Sequence, residues 1–536
     1  MVEFCDIFKS IYFSEEHHMA LISIIKDFRP KIDYYLISKA NELTPTLKHK
    51  IKEPVGGFKL KERYSQEKND IELESLSKLS IGKGENLCLD FGEHLVGYPT
   101  FELSFSGSHP DAPAYIKLKF AENFKELSEN SSEYNGWLSS SWIQEEYVHV
   151  DIIPSRLVLH RRFAFRYVKI TMLDTSPKYK LIINHAECRT ESSADWHRVK
   201  MPEIEDKMLS DIYNVSLKTL ANCMQEVMED GPKRDRRLWV GDMRLQALTN
   251  YISFKNNNLV KRCLYIFGGS RFPDGRVSAN AFVKPNIEAD DTYLFDYAQM
   301  YVACLEEYLE ETGDDEALKD LSPIAFEQIE YGLSHISNGL PDDEIVKATF
   351  IDWNEKFDKS ACTLAVMIYS LDYGISLAHR AGDEKRAEKY TEVQKHLRAK
   401  ARELFWDNDK KVFVSGGQAV QATQIWMVLA EVITGKEAAE LMRKVPELDK
   451  EVSMDTPYIH HYCVMAMIKA GLKDEATEYI KWFWGGMIKA GADTFWECWD
   501  GKNEEVSPYG GSMLNSYCHA WSCTPAYIIK KYLVQD

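Results

Sequence analysis

Gly313-Asp-Asp-Glu316 decides how most of this chain folds. A helical pattern runs into the glycine, and a new, acid-led one leaves it. Glycine suits the left-handed residue that ends a helix, and acids suit the positive end of the next helix dipole. The device recurs at Gly382-Asp-Glu-Lys385, Gly435-Lys-Glu437 and Gly471-Leu-Lys-Asp-Glu475. Each predicts a helix hairpin. The helical period begins after Asp195, where Met208, Ile212, Val215 and Leu220 share one stripe of a helix running towards Met228. The 340 or so residues that follow leave room for about a dozen helices of ordinary length. A solenoid would show a fixed repeat and none is visible, so a closed (α/α)6 barrel is expected over 196–536.

Upstream the period is two. Ile116, Leu118 and Phe120 alternate with Lys117 and Lys119. Phe163, Phe165 and Tyr167 are expected on one face, with Ala164, Val168 and Ile170 mostly on the other. Further strands are expected at Leu87 to Phe91, Thr100 to Phe105, Glu146 to Ile153 and Tyr179 to His185. This pattern predicts an antiparallel β-sandwich over 54–195. Residues 1–53 form an N-terminal extension with a short helical pattern around Ala20 to Phe28.

Bulk properties narrow the function. A formal net charge of -18 argues against nucleic acid, whose phosphates need a basic face. The eleven cysteines are scattered singly from Cys5 to Cys523. With no Cys-x-x-Cys pair they read as reduced thiols in a cytoplasmic protein, not as zinc ligands. Glu3, Asp6 and Lys9 interrupt any apolar signal core at the start. No stretch approaches the ~18 apolar residues of a membrane span, so no membrane partner is expected. His460 and His461 are adjacent and would diverge on a regular element. Phosphate-loop and serine-hydrolase signatures are missing too. No cofactor or metal is expected.

The chemistry concentrates in four loop-like runs. The first is Asp230-Gly-Pro-Lys-Arg-Asp235-Arg-Arg-Leu-Trp239-Val-Gly-Asp242, with three carboxylates, three arginines and a tryptophan. Carboxylates and arginine bond sugar hydroxyls, and an indole face covers the apolar side of a sugar ring. The second run, Asn286 to Tyr293, offers Asp291. The third, Phe350 to Glu355, offers Asp352 and Trp353. The fourth is Asp493-Thr-Phe-Trp496-Glu497-Cys-Trp499-Asp500, followed by Pro508-Tyr-Gly-Gly511 and His519. Two tryptophans beside Glu497 predict an apolar wall that raises its pKa, as general acid/base work favours. Two carboxylates on separate loops are the minimum for cleaving a glycosidic bond.

The first run resembles the Asp-Cys-Pro-x-Arg…Trp-x-Gly-Asp signature of the α-L-rhamnosidases of glycoside hydrolase family 78. Gly491-Ala-Asp-Thr-Phe-Trp-Glu-Cys-Trp499 resembles that family's later Gly-Ala-Thr-Thr-x-Trp-Glu-x-Trp run. Leu89 to Tyr98 and Phe165-Arg-Tyr-Val-Lys-Ile170 resemble its β-sandwich strands. The resemblance implies an inverting exo-hydrolase that releases terminal α-L-rhamnose from small rhamnosides, with Glu497 as general base. It implies sugar contacts by Asp230, Arg234, Trp239 and Asp242, and further pocket roles for Trp353, Trp496, Trp499 and His519.

One departure stands out. The general acid of many members is a glutamate, and that place is Asp235 here or, with a one-residue shift, Arg236. Arginine stays charged above pH 12 and cannot donate a proton at a useful rate, so Asp235 is expected to be the acid. Its shorter side chain asks for a closer backbone, which Gly231 permits. The alternatives are another sugar on the same barrel, or a non-catalytic saccharide-binding protein with a decayed site. The β-region shows no aromatic platform and reads as a buttress or a homodimer surface.

Overall fold

The computed structural model describes residues 28–534 apart from 61–67, 72–77, 449–451 and 502–505. Cys5 and the helical pattern expected from Ala20 lie outside the described residues, except for Phe28. The backbone groups into two compact units that interleave along the chain. One takes in Pro45–Arg237, Leu248–Asn256 and Thr477–Asp536. The other takes in Leu238–Ala247, Asn257–Ala476 and the first 44 residues.

The first unit holds the β-strands expected upstream. All pairings are antiparallel and form one hydrogen-bonded sheet of ten strands. Its main path runs Lys48–Lys52, Tyr179–Ser192, Asn86–Gly107, Phe163–Asp174, Ala114–Ala121, Glu145–Val150. The two strands expected at Leu87 to Phe91 and Thr100 to Phe105 are one strand of 22 residues. Its first half pairs with Phe163 to Thr171 and its second with Tyr179 to Thr190. Side chains from both halves, among them Leu87, Leu89, Phe101 and Leu103, enter one core with Ile116, Phe120, Phe163 and Leu181. The sheet therefore wraps its own interior.

The face expected for Tyr167 is corrected. The register shifts between Phe165 and Tyr167. An inserted residue flips every side chain after it to the opposite face. Phe163, Phe165, Val168 and Ile170 thus share the main core, while Tyr167 packs with Phe58 and Phe124 in a separate cluster.

The second unit is helical, and its turns follow the glycines. Gly313 sits at φ 64 between Phe295–Thr312 and Asp315–Ser334, and the Asp314 side chain caps the second helix by accepting from Ala317 N at 3.0 Å. Gly382 at φ 72 and the Asp383 cap do the same between Ser360–Arg380 and Glu384–Phe405. Gly471 at φ 81 precedes the helix that starts at Lys473. Gly435 is left-handed as expected, at φ 59, between Gln421–Leu429 and the helix Gly435–Lys444 that it opens, but the residue just beyond the cap of the earlier helix, Glu431, is left-handed too, at φ 56.

Ser360–Arg380 also corrects the reading that no stretch approaches a membrane span. By length and composition, with a mean hydropathy of 1.4, this helix is long and apolar enough to cross one. In the structure 72% of that window is buried, as in the core helix of a globular protein.

A Cβ at Gly313 would meet nothing within 4 Å, so only the left-handed backbone resists substitution there. Gly313→Ala is expected to lower unfolding stability by about 1 kcal/mol. An unchanged urea midpoint, at unchanged helical circular dichroism, would show that this residue does not set the turn.

Candidate active site

The run Asp230 to Asp242, which follows the helix Lys207–Cys223, is closed by its own first carboxylate. Asp230 Oδ2 accepts from Asp235 N at 3.0 Å and Oδ1 from Arg237 N at 3.1 Å. Asp230 N donates to Arg237 O at 3.0 Å. A Cβ at Gly231 would lie 2.7 Å from Arg234 O and 3.1 Å from Cys518 O, so the tightness of the loop explains the glycine. The Arg234–Asp235 peptide is cis. Past it, Arg236 turns away and bonds the carbonyls of Arg162 and Lys233 at 3.0 and 3.3 Å. Of the two candidates for the acid position, only Asp235 shares the Arg234 guanidinium with Glu497.

The opposite wall comes from the chain's end. Glu497 N donates to Ser516 O and His519 N to Phe495 O, both at 2.9 Å, so 495–497 runs paired with 516–519. Ser516 Oγ bonds Arg234 O at 2.9 Å and Ala520 N bonds Asp230 O at 2.8 Å, which fastens this pair to the Asp230 loop.

Arg234 links the two carboxylates. Its Nη2 donates to Glu497 Oε2 at 2.6 Å and its Nη1 to Asp235 Oδ1 at 3.2 Å, while Nε is held by Leu514 O at 3.1 Å. The guanidinium lies 4.0 Å from the centre of the Tyr509 ring. The Tyr509 hydroxyl donates to Glu497 Oε1, and Ser516 N donates to Oε2 at 3.2 Å. His519 Nε2 stands 4.0 Å from Glu497 Oε1 and 3.9 Å from Asp230 Oδ2.

The electrostatics follow from these neighbours. Burial pushes the Glu497 carboxyl up, but Arg234, His519, the Tyr509 hydroxyl and the Ser516 amide together outweigh it and hold the group below its ordinary value. The expected upward shift from flanking tryptophans is therefore corrected. Neither indole walls the carboxylate in. Trp496 turns edge-on to Tyr517, and Trp499 packs on Phe483 and against Gly486. Burial, and next the charge of Asp235, push Asp230 up to about 8. Burial drives His519 down to about 4, which leaves the imidazole neutral at pH 7.

Sequence reading passed over a supporting layer. Lys233 is buried between Glu126 Oε1 at 3.1 Å and Glu122 Oε2 at 3.3 Å. Glu122 also takes His94 Nε2 at 2.9 Å and Tyr517 N at 2.7 Å. The connection between Ala114–Ala121 and Glu145–Val150 holds the Tyr509 segment. Trp137 Nε1 bonds Pro508 O at 2.7 Å, Tyr134 bonds Tyr509 O at 3.4 Å and Ser512 Oγ bonds Glu129 at 2.6 Å. Tyr509 stood in a quoted run but had no role assigned. Glu122 and His94 carried no signal beyond being polar residues near strands.

The remaining predicted residues belong to the helical unit. Trp239 meets Tyr297 edge-on at 6.2 Å, and buried Asp242 accepts from the Tyr297 hydroxyl at 3.2 Å. Asp291 is partly buried at the start of the turn before Phe295–Thr312. Asp352 accepts from Trp353 N, Thr456 Oγ1 and Asp455 N at 2.7 to 2.9 Å, which ties its loop to the start of Pro457–Lys469. Burial, then Asp455, push it up to about 7. Trp353 packs edge-on to Phe350 at 5.4 Å.

Residues 59–190 match the model of the glycosyl hydrolase family 78 alpha-rhamnosidase N-terminal domain, and 199–533 that of the bacterial alpha-L-rhamnosidase 6 hairpin glycosidase domain. A rhamnosidase from Klebsiella oxytoca, solved with rhamnose bound, is 39% identical. It aligns over 94% of this chain and 100% of its own, with a TM-score of 0.91. A family 78 rhamnosidase of Bacillus sp. GL1 shares the fold at 20% identity and a TM-score of 0.71, over 87% of this chain and 49% of its own. An α-L-rhamnosidase of Streptomyces avermitilis, complexed with L-rhamnose, does so at 16% and 0.65, over 91% and 44%. No curated protein matches.

Removing one partner from a buried ion cluster leaves the others uncompensated. Lys233→Met is expected to cost about 3–5 kcal/mol of unfolding stability. A melting temperature equal to that of the parent protein would contradict the pairing.

Proposed function

Because this chain belongs to glycosyl hydrolase family 78 and is a glycoside hydrolase, we propose that it removes terminal α-L-rhamnose from small rhamnosides with inversion, Asp235 serving as acid and Glu497 as base. The bridge formed by Arg234 carries this reading. One guanidinium holds a carboxylate on each side, which suits two groups that must face each other across a sugar and a water. Inverting enzymes keep their carboxyls ~6.5–9.5 Å apart for that purpose.

The division of labour follows from exposure and charge. The Asp235 side chain is 18% exposed and that of Glu497 only 3%. The acid loses its proton in each turnover and must regain one from solvent, which favours the more open group. Glu497, held below its ordinary value, is ionised at neutral pH and ready to accept a proton. In the reaction the Asp235 carboxyl gives its proton to the glycosidic oxygen as the bond to the anomeric carbon breaks. Water bonds the anomeric carbon from the opposite face and loses a proton to Glu497. Proton exchange with solvent resets both groups.

Asp230 supports this chemistry through the Asp235 amide, whose position it holds. Tyr509 and Ser516 fix the two oxygens of Glu497. We carry the sugar-contact roles of Trp239, Asp242, Asp291, Asp352, Trp353, Trp499 and His519 as part of the proposal, each open to substitution by alanine and measurement of KM, and leave out Trp496, whose indole turns from Glu497 to Tyr517. The reading also includes a β-sandwich over 54–195, an (α/α)6 barrel over 196–536 and action in the cytoplasm. The 6 hairpin family description supports the barrel, and ten buried cysteines outside any disulfide among the described residues suit a reducing compartment.

Asp235→Asn should lower kcat by about 10²–10⁴-fold on a rhamnoside with an alkyl leaving group and much less on a nitrophenyl one, which needs little protonation. Glu497→Gln should lower both alike. A nuclear magnetic resonance spectrum of the first-formed anomer reports the stereochemistry. Equal losses for Asp235→Asn on the two substrates would remove the acid assignment.

Tyr509→Phe takes one donor from Glu497 and raises its pKa. Because the base works when ionised, the acid limb of the kcat/KM profile should move to higher pH, while activity at pH 7 changes less. An unmoved limb would mean that the phenol does not tune this carboxylate.

A further inference from the structure

Trp496 and Glu497 are neighbours in sequence, but their side chains meet different partners. Glu497 meets Arg234. Trp496 instead lines a cleft of about 350 Å³ with Tyr517, Phe124, Tyr167, Arg166 and Asp493. We infer that this cleft binds a neutral sugar ring, outside the Asp235–Glu497 centre.

The lining has the composition a sugar needs. Four aromatic rings contribute, two from the chain's end and two from the β-region. Trp496 and Tyr517 meet edge to face at 5.3 Å, and Phe124 and Tyr167 at 6.1 Å. Tyr167 is there because of the register shift after Phe165, which takes it out of the main core. The β-region thus has the aromatic surface that its sequence does not advertise.

Three polar groups on the lining side chains have no partner among the described residues. Trp496 is 7% exposed, and its Nε1–H has no acceptor. Arg166 spends Nε and Nη2 on Asp90 at 3.0 and 3.3 Å, which leaves Nη1. Asp493 Oδ2 takes His94 N at 2.7 Å and Lys218 Nζ at 2.9 Å, which leaves Oδ1. Two donors and an acceptor beside aromatic faces match hydroxyls and an apolar ring face. Both charged side chains already have a counter-ion, so an ionic ligand would gain no new pairing. The volume lies at the small end of the usual ligand-pocket range of ~300–1,000 Å³, which suits one ring and not a chain.

The choice of a sugar over another neutral polyol rests on the glycosidase reading, and the experiment separates failure of this inference from failure of that reading. The full chain is titrated calorimetrically with L-rhamnose, and nitrophenyl rhamnoside turnover is measured in parallel. Arg166→Lys keeps the charge facing Asp90 but gives up the guanidinium Nη1. Phe124→Trp fills the cleft by a different route. The expected result is a two-site isotherm in the parent protein, with one site weakened about tenfold or more by either variant while kcat stays unchanged. A one-site isotherm that neither variant alters would overturn the inference and leave the catalytic reading standing. Binding that responds to both variants in a chain that hydrolyses no rhamnoside would uphold the inference and remove the catalytic reading.

Discussion

A guanidinium taken out of water costs several kcal/mol unless its donors are met and its charge is balanced. Arg234 is 4% exposed, and each of its nitrogens has an acceptor while its face rests on Tyr509. Those acceptors come from residues 235, 497 and 514. The constraint therefore ties two segments more than 250 residues apart in sequence into one arrangement. Asp230, Ser516 and the Ala520 amide hold the backbone on either side of it. Without those bonds Arg234 would face either solvent or an unbalanced interior. Glu497 depends on the arginine as much as the arginine depends on it, since burial alone would push that carboxyl towards its neutral form.

The same logic explains why the β-region is more than a neighbour of the loop. Lys233, next to Arg234, is buried as well, and its counter-charges Glu122 and Glu126 stand just beyond the strand Ala114–Ala121. Trp137 and Tyr134 from the following connection grip the carbonyls of Pro508 and Tyr509. Tyr509 then passes this support to Glu497. The β-region supports the loop through buried charges and named hydrogen bonds.

What was legible in the sequence was whatever local chemistry determines. Gly313, Gly382 and Gly471 announce left-handed turns because a side chain is strained there whatever surrounds it. Gly435 is left-handed too, but it stands at the start of the next helix, while Glu431 takes that conformation just after the earlier one, and a non-glycine residue there carries no mark in sequence. Alternation located the strands, yet it could not reveal that the stretches at Leu87 to Phe91 and Thr100 to Phe105 belong to one strand. Pairing with distant strands decides that. Asp235 and Glu497 stood out because they lie in charge-dense runs with large aromatics. Their partners did not, since Tyr509, Glu122 and His94 gain their roles only from residues far along the chain. The direction of the Glu497 shift was illegible for the same reason. Two adjacent tryptophans suggested a wall, while an arginine 263 positions away sets the charge.

That last misreading is instructive. In Trp496-Glu497 the carboxylate meets the Arg234 bridge while the indole before it turns edge-on to Tyr517. An aromatic beside a catalytic carboxylate in sequence is then a poor candidate for contact with the same ligand atom, though it remains near. Across the backbone pairing with 516–519, Tyr517 stands beside Trp496 while His519 comes within 4.0 Å of Glu497. The two paired segments thus serve both the carboxylate and the aromatic cluster. A single backbone hydrogen-bonded pair supports both surfaces, so any displacement of it moves the carboxylate and the cleft together.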